Sequence, residues 1–273
     1  MNLLNSNSTV IPKATPNLEL TTHLAIGAHP DDNEFMAYNG IGECYGKKDE
    51  RFTGVVITDG AGSTRNGIYR DMSLEEISIV RRVELMRAAN FGDFLALVYL
   101  GYTSPELKGS RQNDIRQDIV EVLINTRPEV VYVHNLFDDH DTHVAASRLS
   151  IDALREVRDS FVPQRVYGCE MTGSLDWYPA RVRLDTSMHE RVAHQVLHVF
   201  ESQSDNLRSY PEATIARWIS QAVYDRENKR GPHKISFAMD LTALVNDGTD
   251  MRDFIAQITE QFRQHKLRLF DGV

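Results

Sequence analysis

The chain has 273 residues, 41% of them hydrophobic and 25% charged, which is enough apolar material for a sizeable core. A formal net charge of −9, with no Lys/Arg stripe, excludes the common signature of a nucleic-acid binder, whose affinity depends on clustered cations. No run reaches the roughly 18 consecutive apolar residues of a membrane span, so no membrane partner is expected.

Met1 to Thr22 are rich in Ser, Asn, Thr and Pro, without the basic start and apolar core of a secretory leader; residues 1–20 read as a loose lead. Short β-rich runs then alternate with helical patterns. Strands are predicted over 22–28, Phe52 to Thr58, Ala96 to Leu100, Val130 to His134 and Arg165 to Glu170. Helices are predicted over Ser73 to Phe91, Ile115 to Asn125 and His143 to Val157, the second closed by Arg127-Pro128. This order predicts an α/β fold: a Rossmann-like, mostly parallel sheet with helices on both faces, three layers in one domain spanning 1–273. Farther on, Met188 to Glu201, Ala213 to Val223 and Asp250 to Leu269 read as helices, and Lys234 to Asp240 as an edge strand. Cys44 and Cys169 read as buried reduced thiols, which points to a cytoplasmic setting.

Each predicted strand exits into a polar or Gly-rich loop, and in open α/β sheets those exits meet at one edge, where ligands bind. The first exit carries Ala28-His29-Pro30-Asp31-Asp32, the second Asp59-Gly60-Ala61-Gly62, and the fourth His134-Asn-Leu-Phe-Asp-Asp-His-Asp-Thr-His143. A divalent metal that activates water needs three protein ligands and an open position, and nitrogen with oxygen donors favours zinc. His29 and Asp32, three residues apart at a helix start, supply two ligands; His143, opening the helix after the fourth strand, supplies the third. Asp31 is then free to take a proton from the bound water. His140 is placed to stabilise an oxyanion or protonate a leaving amine.

Plainer readings exist for the same residues. Asp31 and Asp32 could simply cap a helix, and His134 reads as a satisfied core or supporting histidine rather than a ligand. Coincidence favours the metal: of ten histidines, three fall within 134–143, and His29 adjoins the acidic pair. His194 and His198, four residues apart, read instead as a solvated helix face.

These motifs resemble the LmbE or PIG-L family of zinc-dependent de-N-acetylases over roughly residues 20–205. Ala28 to Asp32 with Glu34 resembles the leading Ala-His-Pro-Asp-Asp motif, and His140-Asp-Thr-His143-Val-Ala145 resembles a His-Pro-Asp-His-x-Ala segment that opens a helix. The resemblance implies one Zn2+ per chain on His29, Asp32 and His143, with Asp31 as general base and His140 as the oxyanion-stabilising histidine. Arg81-Arg-Val-Glu84-Leu85 resembles a helix whose first Arg contacts substrate, so Arg81 would hold a sugar hydroxyl or an anionic aglycone; a salt bridge with Glu84 or Asp71 is the structural alternative.

The chain also departs from the pattern. Asp141-Thr142 replaces the usual Pro-Asp, so the carboxylate that orients a histidine must come from Asp138, Asp139 or Asp141. After the third strand, Leu100-Gly-Tyr-Thr103 lacks the carboxylate found there in many members. The segment 205–240, with Arg208, Tyr210, Arg217 and Trp218, reads as a family-variable lid or as a contact in a homo-oligomer.

The function expected is hydrolysis of the N-acetyl group of an N-acetylglucosamine-type amino sugar or glycoconjugate, a small-molecule partner, giving acetate and a free amine. Two other classes are open to the same residues: a two-metal phosphoesterase, and a non-catalytic sugar- or nucleotide-binding module. Against the module, no Gly-x-Gly-x-x-Gly follows the first strand, and a pyrophosphate would meet carboxylates there.

Overall fold

A computed structural model of the chain describes residues 1–12, 17–204 and 209–272. In chain order the elements are β1 (Thr9–Pro12), β2 (His23–Gly27), α1 (Asp32–Met36), α2 (Tyr38–Cys44), β3 (Phe52–Thr58), α3 (Leu74–Phe91), β4 (Ala96–Tyr102), α4 (Ser104–Lys108) and α5 (Gln112–Thr126). There follow β5 (Val130–His134), α6 (Asp141–Glu156), β6 (Arg165–Cys169), β7 (Val182–Asp185), α7 (Glu190–His198), α8 (Tyr210–Tyr224), β8 (Ile235–Asp240), α9 (Thr242–Asp247) and α10 (Met251–Asp271). The strands form one sheet in the order β1-β4-β3-β2-β5-β6-β8-β7. From β4 to β6 neighbours run parallel, and β1, β8 and β7 are added antiparallel.

Strand alternation splits the core in two. Leu24 and Ile26 of β2, with Val55 and Ile57 of β3, pack with α5, α6 and α9, whereas Ala25, Phe52 and Val56 pack with α2, α3 and α7. Every residue of β2, β3 and β4 is buried, as expected where helices cover both faces of a parallel sheet. The fold is therefore the expected mostly parallel α/β sheet in three layers.

Connections diverge at β2. The chain fills β3 and then β4 on one side of it, then crosses to β5 and β6 on the other. At such a reversal the loops leaving the two central strands part and open a crevice at their carboxyl ends. The loops leaving β2 and β5 carry the two histidine-rich motifs.

Two expectations need correction. The lead is not loose over its first twelve residues: the β-branched Thr9, Val10 and Ile11 pair with β4, Leu4 N–H donates to Asp118 at 2.6 Å, and Asn5 Nδ2 donates to Leu100 O at 2.9 Å. The strand at Lys234 to Asp240 is not an edge. β8 lies between β6 and β7, and its run Ile-Ser-Phe-Ala-Met is buried on both faces, while the half-charged Val-Arg-Leu-Asp of β7 takes the edge. Within 205–240, residues 205–208, Arg208 among them, lie outside the described residues, and the rest is woven into the fold. Trp218 of α8 is 2% exposed and stacks on Tyr38, and β8 belongs to the sheet.

Candidate active site

β2 stops at Gly27 because α1 starts directly over its end. A Cβ there would lie 2.8 Å from Asn33 Oδ1 and 2.9 Å from Asp32 Cβ. Asp31 makes the turn with φ of 119°, a conformation that side-chain-bearing residues rarely hold and that costs free energy wherever it is kept. Asp31 stands at the cap position of α1 without a capping bond, and Asp32 turns back to accept the His29 N–H at 2.6 Å. Neither carboxylate acts as an ordinary helix cap.

The turn brings His29 and Asp32 to one point, and α6 delivers His143 to the same point from across the crevice. His29 Nδ1 lies 3.2 Å from His143 Nε2 and 3.3 Å from Asp32 Oδ2, and His143 Nε2 lies 3.4 Å from Asp32 Oδ1. Donors about 2.0–2.1 Å from a tetrahedral zinc stand about 3.3–3.4 Å from one another. The three side chains therefore fit one small divalent ion by spacing and by donor type.

Two further residues hold this trio. Asp138 Oδ1 accepts the His143 Nδ1–H at 3.1 Å, which turns His143 Nε2 toward His29 and Asp32. Asp138 is itself fixed by the backbone N–H groups of His140 (2.9 Å) and Thr172 (3.1 Å). Of the three carboxylates left open by the sequence, Asp138 is the one in place. Asp139 makes no contact with His143, and Asp141 pairs with Lys108 at 2.8 Å on the surface. On the far side His134, 0% exposed, places Nε2 3.1 Å from Asp32 Oδ2. Ala28 N–H also points at this nitrogen, at 3.1 Å, so Nε2 stands between a backbone donor and the carboxylate. His134 thus supports Asp32, as its position at a strand end suggested.

Charge follows from these contacts. Burial works against the Asp32 carboxylate, yet the imidazoles of His143, His134 and His29 outweigh it and hold the group well below the usual range. Burial likewise disfavours a charged His143, but Asp32 and the bond to Asp138 push it up to about 10, so at neutral pH Nε2 holds a proton that a metal ion would displace. Asp31 goes the other way: burial, then the charge of Asp32, raise it well above an ordinary aspartate. No side-chain hydrogen bond holds the Asp31 carboxylate among the described residues. Behind it Glu34 is fully buried with both oxygens unpartnered, and burial pushes it up to about 8, so it stands as a neutral acid.

His140 caps α6 through Nδ1, which accepts the Thr142 N–H at 3.2 Å. Burial and the neighbouring His143 lower its pKa. A neutral ring that accepts at Nδ1 carries its proton on Nε2 and is a donor. Its ring stacks on His143 with centroids 4.6 Å apart.

Beside these groups lies a cavity of about 450 Å³, in the range of small-molecule sites. His29, Asp31, Asp32, Arg81, His140 and His143 line it, so the six residues singled out in the sequence meet in one place. Lys108 of α4 and the stretch Met171–Thr172 after β6 also line it and were not anticipated. They carry no motif, and only the folded sheet edge brings them to the cavity. Arg217 of α8 braces that stretch by donating to Met171 O at 2.6 Å. His194 and His198 lie away from the cavity; His198 pairs with Glu212 at 2.9 Å.

Residues 24–154 match the family model described as PIG-L: GlcNAc-PI de-N-acetylase. This stretch runs from β2 through most of α6 and contains every residue singled out for the site. No curated protein matches the chain in sequence. Among solved structures the fold is similar to the 4-carboxy-2-hydroxymuconate hydratase of Pseudomonas putida, with 17% identity and a TM-score of 0.65 over 81% of this chain and 95% of that one. It is also similar to the N,N'-diacetylchitobiose deacetylase of Pyrococcus horikoshii, with 16% identity and a TM-score of 0.65 over 85% and 88%. A zinc-inhibited form of teicoplanin deacetylase aligns with 12% identity and a TM-score of 0.57 over 80% and 98%. The chain has the LmbE-like fold. That fold carries a hydratase as well as deacetylases, so the reaction has to be argued from the site.

Proposed function

We propose that the protein is a metal-dependent amide hydrolase that removes the acetyl group from an N-acetylglucosamine-type amino sugar or its conjugate, using one zinc ion per chain. The observation that carries this reading is the approach of His29 Nδ1 to His143 Nε2 at 3.2 Å with Asp32 against both, Oδ2 3.3 Å from the first and Oδ1 3.4 Å from the second, beside an Asp31 carboxylate that no side-chain hydrogen bond holds among the described residues. A divalent ion bound there supplies Lewis acidity and lowers the pKa of a coordinated water. Asp31, buried and of raised proton affinity, takes the proton of the attacking water and returns it to the departing nitrogen. The Nε2–H of His140 donates to the acetyl oxygen as negative charge develops on it. Arg81 binds the sugar part of the substrate.

A two-metal phosphoesterase fits less well. The two candidate ligand groups among the described residues, His29 with His140 and His143, and Asp32 with His134 and His143, meet at His143 rather than standing apart, and the proposed trio takes His29 from one and Asp32 from the other around that residue. Against a purely binding module stands the carboxylate of raised proton affinity held beside a cation site, an arrangement suited to acid–base work. The two cysteines are buried and unpaired, which supports a cytoplasmic setting. None of the described helices is long and apolar enough to cross a membrane.

The test is acetate release from a panel of N-acetylated amino sugars, with the zinc-loaded protein and again after chelation. Release that stops on chelation and returns with zinc is expected. Release that persists in the stripped protein would overturn the proposal.

A further inference from the structure

Among the described residues no hydrogen bond grips the Asp31 carboxylate, so its direction is set by the backbone turn that carries it. That turn holds φ of 119°, a conformation that persists only where the surroundings fix it from several sides. Both contacts that do so fall on the residue before it. The ring of the buried Pro30 lies against Gly60 of the loop after β3, where φ is 69° and a Cβ would stand 2.8 Å from the ring. The Pro30 carbonyl accepts a hydrogen bond from Nε2 of Gln203, a residue of the cavity lining. This carbonyl lies in the rigid peptide plane that ends at the Asp31 nitrogen, so holding it fixes the plane about which the Asp31 side chain is turned.

Gln203 can serve as an anchor because its own backbone is tied down. It ends the short helical turn Glu201–Gln203 that follows α7, and its N–H donates to Phe200 O at 3.2 Å. Its neighbour Ser202, 3% exposed, donates its N–H (2.8 Å) and its hydroxyl (2.6 Å) to the two oxygens of Glu84 on α3. Glu84 is thereby committed, and it forms no ion pair with Arg81, whose Nε turns to the same hydroxyl at 3.4 Å. A line of bonds thus runs from α3 through Glu84, Ser202 and Gln203 to the turn beside the ligand cluster.

A base must be aimed, yet a hydrogen bond to its carboxylate would favour the charged form and make it a poorer acceptor of a proton. Holding it through the backbone avoids that conflict. We propose that Gln203 is a positioning residue: its side-chain amide, by holding the Pro30 carbonyl, aims the Asp31 carboxylate into the space beside His29, Asp32 and His143 where the attacking water must lie. The proposal rests on the deacetylase reading for the role of Asp31 as base.

The experiment uses Gln203→Met, which keeps the length of the side chain and removes its donor. On the zinc-loaded protein kcat for acetate release from N-acetylglucosamine is expected to fall about 10–100-fold, the scale of a misplacement of about 1 Å, with KM and zinc content unchanged. Combined with Asp31→Asn the same change should add almost nothing, because no base is left to misplace. Hydrogen exchange gives a readout that needs no turnover. The N–H groups of Asp32, Glu34 and Phe35, bonded to His29 O and Asp31 O, should exchange faster in the variant, with or without zinc, while the strands of the sheet exchange as before. Gln203→Asn, whose arm is one methylene shorter, repeats the comparison if the first variant does not fold. A loss confined to KM, losses that multiply in the double variant, or unchanged exchange over residues 28–36 would each overturn the proposal. Faster exchange there in a protein that releases no acetate from any N-acetylated sugar would uphold the hold of Gln203 on the turn and count against the deacetylase reading alone.

Discussion

Asp138 holds His143 by a hydrogen bond of 3.1 Å from Nδ1–H to Oδ1, and it is held in turn by the N–H groups of His140 and Thr172. One buried carboxylate thereby joins a ligand on α6 to the cavity wall after β6. Asp138→Asn keeps the shape but loses the charge, and one face of an amide cannot accept from all three donors. Zinc affinity, measured by competition with a chromophoric chelator, should fall about 10–100-fold, the usual effect of losing a residue that orients a ligand. Unchanged affinity would mean that Asp138 serves only to fix the loop.

Asp31 and Asp32 are adjacent, yet they should fail differently. Asp31→Asn is expected to retain zinc and lose turnover by about 10²–10⁴-fold, the contribution of a general base. Asp32→Ala should lose the metal itself, because it removes the one carboxylate shared by His29, His134 and His143. Metal content by mass spectrometry alongside acetate release separates the two. A zinc-loaded Asp31→Asn protein with near-normal turnover removes Asp31 from the role of base.

The close approach of α1 to the end of β2 predicts a defect from a single methyl group. In Gly27→Ala the new Cβ would stand 2.8 Å from Asn33 Oδ1 and 2.9 Å from Asp32 Cβ, and Asn33 is tied to Val55 O at 2.9 Å and cannot simply swing away. Asp32 must shift instead. Overpacking of this kind costs about 1–3 kcal/mol, and zinc affinity should fall along with the melting temperature. Normal melting with normal zinc binding would show that α1 has more freedom than its packing indicates.

Away from the site, Asp225 closes α8 onto the edge strand β7, with its buried carboxylate between Arg181 and Arg183. Its hydrogen bond to Arg183 is the main cause that holds its pKa below the ordinary aspartate value. A depressed folded-state pKa stabilises the fold above the unfolded value, and that stabilisation is lost as pH falls through the folded one. Asp225→Asn should therefore be less stable than the natural protein by about 1.5–3 kcal/mol at pH 7. In urea titrations the gap should narrow once the pH drops below about 4, the ordinary aspartate value. A gap that widens toward acid would contradict the assignment.

Much of this arrangement was legible in the sequence. The parallel strands and their helices follow from runs such as Phe52 to Thr58 and from stops such as Arg127-Pro128, and the residues of the site sit at strand exits that any open α/β sheet brings together. Pairing of distant segments was not legible. β7 is four residues with two charges, and nothing local in Ile235 to Asp240 says that it lies between β6 and β7. The same limit applies to the cavity. Lys108 and Thr172 reach it through tertiary placement, and the choice of Asp138 over Asp139 or Asp141 depends on which way one loop turns.

The most direct test of the central claim is the location of the metal in crystals of the zinc-loaded protein, found by anomalous scattering at the zinc edge. The account predicts one peak per chain, about 2.0–2.2 Å from His29 Nδ1, His143 Nε2 and an Asp32 oxygen, with Asp31 beside it and not bound. A peak held by other residues, or two peaks in the crevice, would contradict it.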